Sequence, residues 1–230
     1  DIAIQRCIRS GNCSEKGGVT IDFSEVDVSN IKQSRPQHSP SKAVAITSLG
    51  DESVKQIDVT HSAHAVNGGI VVDEWGSTEV NGLFAVGETI AGPHGADRLG
   101  GGMISQSCVY GKRAGEKAAI HSSEINLAND NHEKVENRLE KFNNLNGPSY
   151  HNIRKELKTM AKDYLIVERN ESGLDLMDNR LDELINEEIT NAPFTGKNGL
   201  IKNLETENLL TVAWLMVKSA KMRKESRGSH

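Results

Sequence analysis

Apolar positions along the chain follow two periods, and the change from one to the other divides it. Ile2, Ala3, Ile4, Cys7 and Ile8 share one face at helical spacing, so a short helix is expected at the start. Residues 19–23 (Val-Thr-Ile-Asp-Phe) alternate as a half-buried strand does, and the Ser/Pro/Lys stretch from Ser34 to Lys42 punctuates rather than packs. From Val59 the texture shifts: residues 69–73 read as a strand, Val80-Asn81-Gly82-Leu83 as a hairpin-type turn, and residues 83–86 as a short buried strand. Residues 103–120 then read as a helix whose small side chains at Gly111, Ala114, Gly115 and Ala118 would let it lie close to a sheet or a ligand.

The last third is helical throughout. Residues 121–150 are polar and close on Asn146-Gly147-Pro148-Ser149, a boundary signal. Ile153, Leu157, Met160, Ala161, Tyr164 and Leu165 form one stripe, and Leu174, Met177, Leu181, Leu184 and Ile185 a second, with Ser172 as its expected cap. A third helix, from about Glu205 to Lys224, is apolar over much of its circumference around Trp214. Trp214, Met216 and Met222 are expected in its core, and Asp182, Glu183, Glu187 and Glu188 on a solvated face. Three antiparallel helices in a small bundle is the economical reading.

Composition narrows the class. With 230 residues, 36% of them apolar, the chain can bury a real core. A net charge of −5 leaves no basic footprint for nucleic acid. The longest apolar run, residues 209–217 with Thr211 inside it, is about half of a membrane span. Cys7, Cys13 and Cys108 make neither an even disulfide framework nor a CxxC pair, which fits a reducing compartment.

The chemistry concentrates between residues 87 and 102, a connection far longer than strand-to-helix loops usually are. Gly87, Gly92, Gly95, Gly100, Gly101 and Gly102 let its backbone approach a ligand, and Glu88, His94, Asp97 and Arg98 add ionisable groups. The triple glycine opens straight into the helix, where unpaired amides and the positive dipole end favour negative charge. Arg98 offers a planar fork for a carboxylate and His94 a further donor. Upstream, His61 and His64 precede the backbone-approach element Asn67-Gly68-Gly69.

Four ordered blocks carry a resemblance: Ala63-His64-Ala65-Val66-Asn67-Gly68-Gly69-Ile70, the run from Thr78 to Glu88, His94-Gly95-Ala96-Asp97-Arg98-Leu99-Gly100-Gly101, and Tyr110-Gly111-Lys112-Arg113-Ala114-Gly115. With the terminal Glu225-Ser226-Arg227-Gly228-Ser229-His230, they resemble the succinate dehydrogenase/fumarate reductase flavoprotein family, which includes L-aspartate oxidase. The resemblance implies an α/β fold, a Rossmann-like FAD-binding part with a remnant of a capping domain, followed by an all-α three-helix bundle. It divides the chain into capping residues 1–58, FAD-binding residues 59–122, a connection at 123–148 and a helical domain at 149–230.

It also implies FAD as cofactor and hydride transfer between the flavin and a C4 dicarboxylate, fumarate/succinate first. His64 matches the substrate-carboxylate histidine and Arg98 the carboxylate clamp, with His94 as a further substrate contact. Glu88 matches the acid that holds the ribityl hydroxyls, while Gly68, Gly69, Gly100, Gly101, Gly102, Met103 and Ile104 would line the flavin. The family's proton-shuttling arginine would stand immediately before Asp1, and no dinucleotide fingerprint occurs in the chain. The chain is therefore expected to be a carboxy-terminal fragment, inactive alone. Departures from the family pattern are Gly102-Met103 in place of Asn-Ser, and Ala65 and Val66 in place of Tyr and Met. Expected partners are a small dicarboxylate and an iron–sulfur electron-transfer subunit, with no nucleic acid and no membrane span of its own. The expected location is cytoplasmic, peripheral to the inner face of the membrane through partner subunits. A reading from another class, a non-catalytic module whose bundle docks a partner, is separated from this one by flavin absorbance in the complete protein.

Overall fold

The computed structural model describes residues 2–22, 24–25, 56–95, 98–125, 136–137, 147–193 and 198–226. Phe23, the Ser34–Lys42 stretch, Ala96, Asp97, most of the 123–148 connection and the final Arg227-Gly228-Ser229-His230 lie outside the described residues. The chain divides into two compact units, Asp1–Ser62 and Ala63–His230.

The first unit holds helix α1 (Ile2–Arg9) and an antiparallel pair, β1 (Val19–Asp22) and β2 (Gln56–Val59). Val19 faces Val59 and Asp22 faces Gln56 in the register. Gly18 precedes β1 because a Cβ there would stand 2.7 Å from the Val59 carbonyl oxygen. Across the pair, the Thr20 hydroxyl donates to the Asp58 carboxylate at 2.6 Å. That bond, offset in part by desolvation and helped by Ser14 and Lys16, holds the Asp58 carboxyl below its ordinary range.

In the second unit the two strands expected at 69–73 and 83–86 shrink to single bridges, Ile70 parallel to Ile90 and Ser77 antiparallel to Phe84. A strand is made by its neighbours. Among the described residues no further strand flanks either segment, and Val71, Leu83 and Val86 are exposed. The expected turn is present: Leu83 N–H donates to the Val80 carbonyl at 3.0 Å with Gly82 at φ 79°. Asp73 closes the preceding turn by accepting from the Ser77 and Trp75 amides. The Ser77 bond leads in lowering its carboxyl pKa, against desolvation, and Lys117 adds to it.

Helix α2 (Gly102–Glu124) follows, and only Gln106 and Ala114 are buried along it. Of the four small residues expected to allow close approach, Ala114 makes one, against Gly76, while Gly111 and Gly115 face open space.

Helices α3 (Tyr150–Met160), α4 (Glu171–Glu183) and α5 (Gly199–Met222) pack around one core. Its fully buried members include Ile153, Met177, Leu181, Leu184, Leu210 and Val217. Both expected stripes are therefore present. The first two helices run on into widened turns, Ala161–Leu165 and Leu184–Glu188, each carrying one extra residue per turn. Leu165 and Leu184 stay buried as a result.

Four expectations about the bundle are corrected. The cap of α4 is Asn170, whose side chain accepts from the Gly173 amide at 2.8 Å; Ser172 lies inside the first turn and donates to Asn170 instead. Helix α5 begins at Gly199, six residues before Glu205. Met222 is 83% exposed, whereas Trp214 and Met216 do pack against the core. The acidic run is not merely solvated: Asp182 accepts the Trp214 indole N–H at 3.1 Å, and Glu183 and Glu188 pair with Arg180.

Arg180 is the hub of that cluster. Its Nε and Nη2 bond both oxygens of Glu156 at 2.6 and 3.1 Å, a planar fork on a carboxylate, and Nη1 reaches Glu183 and Glu188. These bonds, Glu156 first, raise its pKa far above the ordinary arginine value. Among the described residues no helix is long and apolar enough to cross a membrane, and no cluster of side chains could hold a metal ion. The three cysteines are free thiols.

Candidate functional site

The site is built on a short parallel contact. Ile70 N–H donates to the Thr89 carbonyl and Ala91 N–H to the Ile70 carbonyl, both at 2.8 Å, which sets the Asn67–Gly69 segment beside the start of the 87–102 loop. The approach is close enough that a Cβ on Gly69 would stand 2.2 Å from the Thr89 carbonyl oxygen, so glycine is demanded there by the neighbouring backbone. Gly68, next to it, faces open space. The two glycines therefore do different work, although their sequence context is the same.

Glu88 ties the same two segments from the side. Its Oε1 accepts the Val66 amide at 2.9 Å, and the side chain otherwise remains exposed. His64 stands two residues before this bond, on the pinned segment, with its side chain exposed. Asn67 has a buried side-chain oxygen without a hydrogen-bond donor.

At the far end of the loop three residues converge. A Cβ on Gly102 would meet His94 Cε1 at 3.1 Å and Arg98 Cγ at 3.7 Å, so the imidazole and the arginine stem lie against the first residue of α2. His94 Nε2 is buried and has no hydrogen-bond partner. Gly101, the residue before the helix, sits at φ 81° in the left-handed region, with Gly100 and Gly101 both facing open space. Two amides at this helix end are paired within the chain: Gly102 N–H donates to the Leu99 carbonyl at 3.0 Å and Ile104 N–H to the Gly101 carbonyl at 3.1 Å. The positive end of the helix dipole favours negative charge there. Met103 is half-buried and Ile104 is exposed.

Sequence reasoning missed Gln106. It is 5% exposed on α2, and its Nε2 donates to the Gly87 carbonyl at 3.1 Å. The signal that marks it is its place eight residues before Ala114, on the face of α2 that packs inward.

Residues 3–104 match the family model described as FAD binding domain, and residues 154–230 match fumarate reductase flavoprotein C-term. The chain belongs to the succinate dehydrogenase/fumarate reductase flavoprotein family. Similar curated proteins include an uncharacterised FAD-dependent oxidoreductase of Methanocaldococcus jannaschii, 38% identical over 75% of this chain and 32% of that protein. A fumarate reductase (CoM/CoB) polypeptide of Methanothermobacter marburgensis is 34% identical over 99% of this chain and 42% of its own length. The L-aspartate oxidase of Yersinia pestis is 34% identical over 84% of this chain and 36% of its own. Among solved structures, a quinol–fumarate reductase with menaquinol molecules superposes over 98% of this chain and 41% of its own, at 28% identity and a TM-score of 0.78. The chain thus spans a third to two fifths of the length of the curated relatives it matches.

FAD is the cofactor that goes with this family, and the site's own features fit it. Gly68, Gly100 and Gly101 leave backbone open to a flat ring, Glu88 retains an exposed carboxylate oxygen for hydroxyl donors, and buried polar atoms on Asn67 and His94 await partners.

Proposed function

We propose that the complete protein is an FAD-dependent oxidoreductase acting on a C4 dicarboxylate, with fumarate and succinate as the substrate pair. The observation that supports this reading most is the meeting of His94 and Arg98 at Gly102, on the positive end of α2 and beside the open glycines. Bound there, the flavin supplies hydride exchange with a carbon of the substrate. This chain's residues do the holding. Arg98 presents its fork to one carboxylate, His94 donates beside it, and His64 takes the second carboxylate from the segment pinned by Glu88. Glu88 holds the ribityl hydroxyls with the oxygen that Val66 leaves exposed. Gly68, Gly69, Gly100, Gly101, Gly102, Met103 and Ile104 line the ring, with Gly69 acting through the backbone contact that shapes the wall. The positive end of α2 would favour negative charge on a ring held there. Electrons reach the site from a partner subunit that carries iron–sulfur clusters.

The second reading, L-aspartate oxidase, draws on the relative of that name and uses the same carboxylate clamp. Products separate the two. The first predicts anaerobic succinate formation from fumarate with a reduced dye, and the second predicts oxygen-dependent iminoaspartate formation from aspartate. A complete protein that binds FAD and does neither would end both.

A further inference from the structure

We infer that Gln106 is a positioning residue, a buried amide strap that fixes the entrance of the 87–102 loop against α2 and so sets where Glu88 and the flavin are held. The inference rests on the reading of that loop as the flavin and substrate loop. Two observations converge on one side chain, and a third concerns its neighbour. Its Nε2 donates to the Gly87 carbonyl, which belongs to the residue immediately before Glu88. The same nitrogen lies against Gly92, where a Cβ would come within 3.3 Å of it, so the amide touches both ends of the Gly87–Gly92 bend. The neighbouring residue, Ser107, lies with its hydroxyl 3.5 Å from where a Cβ on Gly87 would be, and Gly87 itself is at φ 70°.

The amide's chemistry agrees with a positional role. A carbonyl can only accept, so the nitrogen must face Gly87, which leaves Oε1 buried without a donor. An amide kept at 5% exposure with its carbonyl oxygen unmet contributes little to folding on balance. Its net effect is to choose one loop geometry among those that six glycines would otherwise permit. An apolar residue of the same length would suit the packing as well and would release the loop.

The test uses the complete holoprotein with Gln106→Met, which keeps the length and removes both polar atoms. Release of FAD, followed by the recovery of flavin fluorescence, is expected to quicken by roughly fivefold, the worth of one net hydrogen bond. Amide hydrogen exchange across residues 87–95 should rise, while exchange in α3, α4 and α5 and the thermal midpoint stay near wild type. Gly92→Ala, which crowds Nε2 and leaves Gln106 in place, should give a smaller change in the same direction. Unchanged FAD release and unchanged loop exchange in Gln106→Met would overturn the inference. So would a rise in exchange throughout the protein with a fallen midpoint, since that is the mark of a merely structural residue. Failure of fumarate as a substrate would leave these readouts intact. A protein that never binds FAD would overturn the flavin reading, and the exchange pattern would still judge the strap.

Discussion

Substituting alanine at Gly69 and, separately, at Gly68 puts the two-glycine element to a quantitative trial. At Gly69 the new Cβ would stand 2.2 Å from the Thr89 oxygen, 2.7 Å from its carbonyl carbon and 2.9 Å from the Ile90 carbonyl carbon. All three are backbone atoms, so no side-chain tip can swing away, and the Ile70–Ile90 contact has to open. Overpacking of this kind costs about 1–3 kcal/mol. The two 2.8 Å backbone bonds that open with it add about 0.5–1.5 kcal/mol each. The sum, about 2–6 kcal/mol, corresponds to a midpoint lower by roughly 5–20 °C for a chain of this size. Buried Ile90 loosens as well, and the Val66–Glu88 bond loses its register. At Gly68 a Cβ meets nothing within 4 Å, so Gly68→Ala should leave the midpoint unchanged or raise it slightly through the stiffer unfolded chain. It should nonetheless weaken FAD binding in the complete protein if, as proposed, its open face is offered to the ring. Thermal melts followed by circular dichroism, paired with flavin titrations, give both quantities. Equal melts for the two variants, or a Gly69→Ala midpoint within about 1 °C of wild type, would refute the close-approach argument.

The bundle supplies two further predictions. Arg180→Met strips three carboxylates of their common partner while keeping the aliphatic stem. It should lower stability by about 1–2 kcal/mol in a urea melt, with less effect at high salt; a variant as stable as wild type would show the cluster to be incidental. Asp178 is buried, and although desolvation works against its charge, the hydrogen bonds from Lys218 and Lys221 to Oδ2, at 2.9 and 2.7 Å, carry its pKa below the ordinary carboxylate value. A carboxyl lowered on folding adds stability above its unfolded value, about 3.9, and loses it as pH falls through the lower folded value. Asp178→Asn should therefore be less stable than wild type at pH 7, with the gap closing as pH falls below about 4. A gap that is constant across that range would contradict the assignment.

How much of the molecule is legible in its sequence differs by element for physical reasons. The bundle stripes are legible because a helix makes its own hydrogen bonds, and 3.6-residue periodicity marks its buried face without reference to partners. The sequence points to Ser172 as a cap where the structure uses Asn170, because both are good capping types two residues apart and only backbone geometry chooses between them. Full strands are expected at 69–73 and 83–86 and are not formed, because the apolar pattern signals readiness to pair and says nothing of whether neighbours are at hand. In the candidate site the glycines are visible as a group, but their division into packing (Gly69, Gly102) and open (Gly68, Gly100, Gly101) positions depends on what lies across from each. Gln106 escapes notice because a glutamine in a helix ordinarily means a wet surface.

The most direct measurement of the central claim is fumarate reduction by a reduced dye under anaerobic conditions, made on the complete protein and on its Arg98→Gln variant with flavin content recorded for both. A yellow wild type that forms succinate, and an equally yellow variant with kcat/KM lower by at least about 100-fold, is the outcome predicted for a carboxylate-binding guanidinium. A colourless wild type, or a variant that turns fumarate over as fast as its parent, would contradict it.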